Sequence, residues 1–423
     1  MSKANGNPKG GSKPPANTPV NKTQQWSKSI CAAADGSGTI AGFQALGPLA
    51  SPQDLLVTAA TSGNPQCVLA AEQVIHLVEG WRYAAAATSA YLAHSNAAAT
   101  HFAYYAELRA ATSLFAWSGI RAKWHKYYYL DASGAKVVPQ GNPPTHQAVW
   151  ALWTEWVTRP DIQTLMSQQI KLHPLVSMDK VVNAISFSRP GQVLKAWGAD
   201  LVNVSNDHTA RNDASYEATW LHSPLSQMSV DEAELIREVW RLFLADGSGL
   251  GFDAALCNYL VEQSVSQETL GNQTPADIRT NIVKHIAANS GASELEIARR
   301  LDASLYPRRP FELAADAATL PQNVLSRSFL LLRMALLALK SSLSVPGMPV
   351  VAKSWLENWL EHAGIWSQSA GVDPIDIEID YRDAVLDLNV ARPLPASLWE
   401  GVNQARFALV ARPDACIAWS LVA

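Results

Sequence analysis

Between residues 52 and 121 apolar positions recur every three or four residues, the period of a buried helix face. Two alanine-rich segments carry the signal, QCVLAAEQVIHLVEGWRYAAAATSAYLA at 66–93 and AAATHFAYYAELRAATSLFAWSGI at 97–120. Neither contains proline, and Gly119 is placed to end the second helix. The segment KYYYLDASGAKVV at 126–138 changes character. Aromatic and β-branched residues flank a turn signal, which predicts a hairpin inserted between helices. Helical patterning resumes at THQAVWALWTEWV (145–157), with Thr145 as the expected N-cap, and continues in shorter helices around 160–170, 178–187 and 192–202.

Further helices are expected at 231–245, 252–265, 275–290 and 293–302. Residues 321–343 are apolar nearly all round, as in a central buried helix, so Arg327 and Arg333 within it need acceptors. The last fifty residues alternate instead. Ile375, Ile377 and Ile379 lie on one side of IDIEIDY and Asp376, Glu378 and Asp380 on the other, which predicts a half-buried strand. Residues 406–422 read as two more strands joined at Arg412–Pro413–Asp414. The fold class expected is therefore mainly α, with helical bundles, a short inserted hairpin and a small C-terminal β-sheet. Four units follow: a disordered basic tail at 1–25, a helical domain at 26–224 with its hairpin near 124–138, a second helical domain at 225–370, and a β-rich segment at 371–423.

Composition adds a core and removes some functions. Hydrophobic residues make up 48% of the chain and charged ones 17%, ample material for burial. Trp is abundant, 15 copies against 9 Phe, and Trp81, Trp117, Trp150, Trp153, Trp156 and Trp240 fall in helical segments rich in alanine. Core packing is the expected role, and a partner interface the alternative. The net charge of −4 argues against a broad polyanion footprint, more so because Lys3, Lys9, Lys13 and Lys22 sit in the tail and leave an acidic body. Cys31, Cys67, Cys257 and Cys416 form no CxxC pair, so no zinc site is read. No signal-peptide core is visible, and the greasiest run, 329–339, is broken by Arg333 and falls short of the ~20 residues of a membrane span. A soluble cytoplasmic protein is the expectation.

One compact polar cluster stands out, TARNDASYEATW at 209–220. Asn206, Asp207 and Thr209 are capping types, which predicts a helix start near Thr209. On that helix Asn212 and Tyr216 share a face, and Arg211 and Ser215 stand one turn apart. An arginine there can hold a phosphate or offset the charge of a phosphorane during RNA cleavage. The run RNDASY resembles the motif of HEPN-superfamily ribonucleases, in which an arginine and a polar residue precede a histidine. Arg211 matches the arginine and Asn212 the polar position; Tyr216 stands where the histidine is expected, and His222 lies too far along. The resemblance implies a helical, metal-independent endoribonuclease or toxin-like effector. It also implies a homodimer, no cofactor and, as the usual setting, bacterial defence. Arg211 would bind the phosphate, Asn212 position it and Tyr216 orient the ribose hydroxyl. His101, arriving from another helix, would supply the base.

Other constellations compete. On one helix His94, His101, Tyr105 and Thr112 form a stripe, and two histidines seven apart are too distant to share a metal ion. The carboxylates Asp376, Glu378 and Asp380 offer a Mg²⁺ site to a metal-dependent nuclease, if they converge. GSGLG at 247–251 lacks the Lys-Ser/Thr of a phosphate loop and reads as a linker. The rival to an enzyme is a helical interaction subunit that binds a protein partner through a Trp-rich surface.

Overall fold

The structure is a computed structural model that describes residues 22–46, 55, 57, 61–123, 126–185, 202–216, 230–247, 249–268, 273–302, 304–345, 349–367, 371–390 and 409–422. The chain is mainly helical, with small antiparallel sheets between helices. Most of the predicted tail lies outside the described residues. Its last part does not behave as a tail: α1 (Lys22–Ala33) already includes residues 22–25 and buries Trp26 and Ile30. α2 (Ser37–Leu46) follows, then the two longest elements of this half, α3 (Pro65–Leu92) and α4 (Asn96–Trp117).

α3 and α4 pack along their length because small residues line both. Ala84, Ala87, Ala103, Ala106 and Ala110 are all fully buried, which lets the two backbones approach closely. Asn64 caps α3 by accepting from the Gln66 amide, and Pro65 fits the first turn, where no amide donor is needed. The turn between the helices carries His94 at φ 56°, outside either helix. The predicted stripe through His94, His101, Tyr105 and Thr112 is thereby broken at its first member. Gly119 ends α4 as expected, at φ +80°, and a Cβ there would fall 2.1 Å from the Asp35 carbonyl oxygen.

The inserted hairpin is a three-stranded meander of β1 (Ile120–Arg121), β2 (Tyr128–Leu130) and β3 (Lys136–Val137). Its turn closes on Asp131, whose carboxylate accepts from the amides of Ser133 and Ala135. α5 (Thr145–Trp156) has Pro144 rather than Thr145 at its cap. Next come α6 (Pro160–Gln169), a small ladder of β4 (Lys171–His173) and β5 (Val176–Ser177), and α7 (Met178–Ala184). The helix predicted near 192–202 lies outside the described residues. α8 (Val202–Tyr216) carries the RNDASY run and begins well before Thr209, so Asp207 sits inside the helix and caps nothing.

Beyond position 229 the order is α9 (Val230–Phe243), the ladder of β6 (Ala245–Asp246) and β7 (Gly249–Leu250), α10 (Gly251–Glu268), α11 (Pro275–Ser290), α12 (Glu294–Arg300), α13 (Arg309–Ala315), α14 (Pro321–Leu343), α15 (Pro349–His362) and α16 (Pro374–Val390). The described part of GSGLG thus lies in a β-ladder leading into a helix rather than in a plain linker. α14 is the buried centre that its composition predicts, and it packs on α3, α4 and α13. Both its arginines find acceptors: Arg333 meets Asp253 at 2.7–2.9 Å, and Arg327 meets Asp207. The boundary expected at 224/225 lies outside the described residues, and one contiguous apolar cluster runs from Trp26 to Trp419.

The C-terminal sheet is a correction. Residues 374–390 form α16, and the segment after it holds a 3₁₀ turn (Pro413–Ala415) and a π-helical turn (Ala418–Val422) in place of strands. The isoleucine alternation covers one short window. Extended by Tyr381, Ala384 and Val385, the buried set becomes Ile377, Tyr381, Ala384 and Val385 at helical spacing, while Ile375 and Ile379 are each 48% exposed. Asp373 and Pro374 start the helix, with the Asp373 carboxylate accepting from the Ile375 amide. On a helix Glu378 is turned away from Asp376 and Asp380, which share the opposite face one turn apart. Glu378 turns inward to Arg382 at 2.6 Å, and no metal-holding group is found among the described residues.

The tryptophans are mostly core. Trp81, Trp153 and Trp156 are fully buried and Trp240 is 1% exposed, with indole nitrogens of Trp156 and Trp240 donating to Ser118 and to the Val410 carbonyl. Trp117 and Trp150 are partly buried. No Trp-rich surface is built from these six. Among the described residues no helix is long and apolar enough to cross a membrane.

Candidate functional site

α8 lies across α4 and reaches α5, and the residues at this junction are unusually rich in imidazole and phenol. α4 contributes His101, Tyr104 and Tyr105, α5 contributes His146 and Trp150, and α8 contributes His208, Arg211, Asn212 and Ser215. Helical period explains the last set. His208, Arg211 and Ser215 follow one another at three- and four-residue steps and share a face.

Arg211 is the centre. Its guanidinium lies 5.0 Å from the centre of the Tyr105 ring, Nη2 donates to the Tyr105 hydroxyl, and Nη1 donates to Asn212 Oδ1 at 2.7 Å. Its Nε is shielded from solvent and has no hydrogen-bond partner, so donor capacity is left over. His101 stands beside Tyr105, ring centres 5.0 Å apart.

The hydrogen bonds fix the tautomer of His101. Ser215 donates its hydroxyl proton to the Arg211 carbonyl at 2.7 Å, so its oxygen can only accept from His101 Nδ1, 2.7 Å away. Nδ1 therefore carries the proton and Nε2 the lone pair. Burial first, and the Arg211 charge second, hold the His101 pKa below its ordinary value. The imidazole is a neutral base at pH 7.

A second pair lies alongside. The rings of His146 and His208 stack with centres 4.9 Å apart. Trp150 Nε1 donates to the Tyr104 hydroxyl at 3.2 Å, and that hydroxyl is hydrogen-bonded to His146 Nδ1 at 2.8 Å. Burial, His208 and Arg211 together bring His146 down to about 4, and burial and Arg211 lower His208 as well. Burial, reinforced by the Arg211 charge, thus disfavours protonation of all three imidazoles.

Beneath the cluster, α8 is anchored by a buried ion pair. Asp207 and Glu107 are fully buried and Arg327 is 2% exposed. Arg327 grips Asp207 with both nitrogens, Nε to Oδ2 at 2.7 Å and Nη2 to Oδ1 at 2.6 Å, while Glu107 Oε1 stands 3.9 Å from Arg327 Nε. One cation cannot keep two buried carboxylates ionised. Burial and the neighbouring Asp207 push Glu107 well above the usual carboxylate range, so Glu107 holds the proton and Asp207 the charge.

Of the residues singled out in the sequence, Arg211, Asn212 and His101 meet in this cluster. Tyr216, one helical turn past Asn212, is 81% exposed and makes no ring contact or hydrogen bond to the cluster among the described residues. Sequence reasoning passed over His146 and Tyr104, which come from distant segments without local signal, and gave no role to His208, which helical period alone puts one turn before Arg211. Among the described residues no carboxylate forms an ion pair or hydrogen bond with the histidines of this site, and no group suited to a metal ion is found. What it offers chemically is a cation with spare donors beside neutral imidazoles, suited to a phosphate ester. No protein-family model matches this chain, nor does a curated protein or a solved structure.

Proposed function

We propose that the chain is a metal-independent, HEPN-like endoribonuclease whose site is the α4–α8 junction. The observation that carries the reading is the Ser215-fixed tautomer of His101, which presents a free Nε2 lone pair beside Arg211. In this reading Arg211 holds the scissile phosphate with the N–H groups left over from Tyr105 and Asn212. His101 Nε2 takes the proton of the ribose 2′-hydroxyl, and the freed oxygen attacks phosphorus. Negative charge builds on the phosphorane oxygens, where the fixed guanidinium offsets it.

The leaving 5′ oxygen needs a proton. His208, on the same face of α8 as Arg211, supplies it: burial first and the Arg211 charge second lower its pKa, and the negative charge of a bound phosphodiester favours its protonated form. The P–O5′ bond breaks, and the products are a 2′,3′-cyclic phosphate and a 5′-hydroxyl. Asn212 holds Arg211 in place; it does not touch the reacting atoms. Tyr216 as oriented has no part in these steps, and His101 supplies from another helix the imidazole that the family motif carries downstream of its arginine. A cyclic-phosphate end on a labelled RNA, formed in the presence of a chelator, is the product that tests the reading. A 3′-hydroxyl end, or cleavage only with added Mg²⁺, rejects it.

A further inference from the structure

A separate cavity of about 490 Å³ opens between the ends of α9 and α12, the β6–β7 ladder, the start of α10 and α16. Arg241, Arg299, Arg300 and Arg382 face into it against only two lining carboxylates, Asp246 and Glu296. Those two are already committed. Asp246 Oδ2 accepts from Arg300 at 2.5 Å and from the Tyr306 hydroxyl at 2.9 Å, and Glu296 closes a capping box with Ser293 at 2.7 Å. Arg382 is neutralised from behind by Glu378 at 2.6 Å. Arg241 gives its hydrogen bond to the neutral Leu305 carbonyl at 2.6 Å, and Arg299 is exposed with no hydrogen bond or ion pair to a described residue.

The positive character extends inward. A smaller cavity of about 100 Å³ shares Asp246 and Arg300 with the first and adds Lys171, Lys340 and the Arg333–Asp253 pair. Desolvation first, and the neighbouring Arg333 second, depress the Lys340 pKa. Gathering these cations is costly because they repel one another at close range, and an anion bound among them offsets the repulsion. The wall is not wholly charged: Leu244, Leu305, Tyr306 and Pro307 form an apolar side.

We propose that this cavity binds an organic phosphate of nucleotide size. Guanidinium forks recognise phosphate oxygens in pairs, the volume falls in the range of small-ligand sites, and the apolar wall takes the organic part. The proposal is independent of the ribonuclease reading, since none of its residues belongs to the α4–α8 junction. Titration calorimetry on the full chain at low salt, with ADP, pyrophosphate and adenosine as probes, tests it. ADP binds more tightly than pyrophosphate, adenosine gives no heat, and Arg241→Ala with Arg299→Ala weakens ADP by about tenfold or more. Both side chains are exposed, and the single Arg299→Glu variant keeps the test in hand if the double variant loses its fold. No heat from ADP overturns the proposal, as does unchanged affinity in a folded variant. Adenosine or pyrophosphate binding as tightly as ADP overturns it too.

Discussion

Arg211 and Tyr105 form one unit, the guanidinium 5.0 Å from the ring centre and Nη2 bonded to the hydroxyl. The ring holds the cation through its π face and the hydroxyl fixes its rotation. Tyr105→Phe keeps the first and loses the second, and Tyr105→Leu loses both. RNA cleavage measured in single turnover falls by about tenfold in the first variant, one hydrogen bond's worth, and further in the second. Equal rates in wild type and Tyr105→Leu would show that the tyrosine does not position Arg211.

The buried triad makes opposite predictions for its two carboxylates. Asp207→Asn removes the two-pronged partner of Arg327 and leaves it the Glu107 carboxyl, 3.9 Å away, so unfolding by urea registers a loss of about 3 kcal/mol. Glu107 already holds a proton, so Glu107→Gln preserves its neutrality and costs under about 1 kcal/mol. A larger loss from the Glu107 variant than from the Asp207 variant would reverse the assignment of the proton.

The histidines set the response to acid. His101, His146 and His208 are all held below 6.5 in the fold, His146 at about 4. Between those values and 6.5 the unfolded chain binds more protons than the folded one, so stability rises with pH there and is lost as pH falls below about 6.5. Thermal melts across pH 4–7 show this slope, and His146→Phe makes it shallower. An acid slope that is the same in wild type and His146→Phe would contradict the buried, neutral imidazole of His146.

Close helix packing is tested at Gly80 on α3. A Cβ there would lie 2.8 Å from Leu332 Cδ2 and 3.3 Å from Arg109 Cβ, so α14 and α4 both crowd this position. Gly80→Val destabilises by about 1–3 kcal/mol in urea, as overpacking does. An unchanged midpoint would mean that the three helices separate at little cost.

Long periodic segments were legible in the sequence because burial dictates them. α3, α4 and α14 follow from alanine and leucine spacing, and the hairpin from the turn at Asp131–Gly134. Ile375–Tyr381 misled because a seven-residue alternation is too short to tell period 2 from period 3.6, and the deciding residues, Ala384 and Val385, lie beyond it. The start of α8 misled for another reason. Asp207 looks like a cap, yet its carboxylate is required 120 residues away by Arg327, a contact that no local pattern encodes. Arg211, Asn212 and Ser215 were readable as neighbours along one helix. Their meeting with His101 and His146 depends on how α4, α5 and α8 cross, and sequence spacing says nothing of that.

Arg211 and His101 are proposed to act together on RNA without a metal ion. The direct measurement compares wild type, Arg211→Ala and His101→Gln on a pool of labelled RNAs in excess chelator, with circular dichroism to confirm each fold. Cleavage by wild type and a fall of about a hundredfold or more in each folded variant are expected, the scale of losing a charge-stabilising or acid–base group. Cleavage that persists in folded Arg211→Ala, or a wild type that leaves the RNA intact, would contradict it.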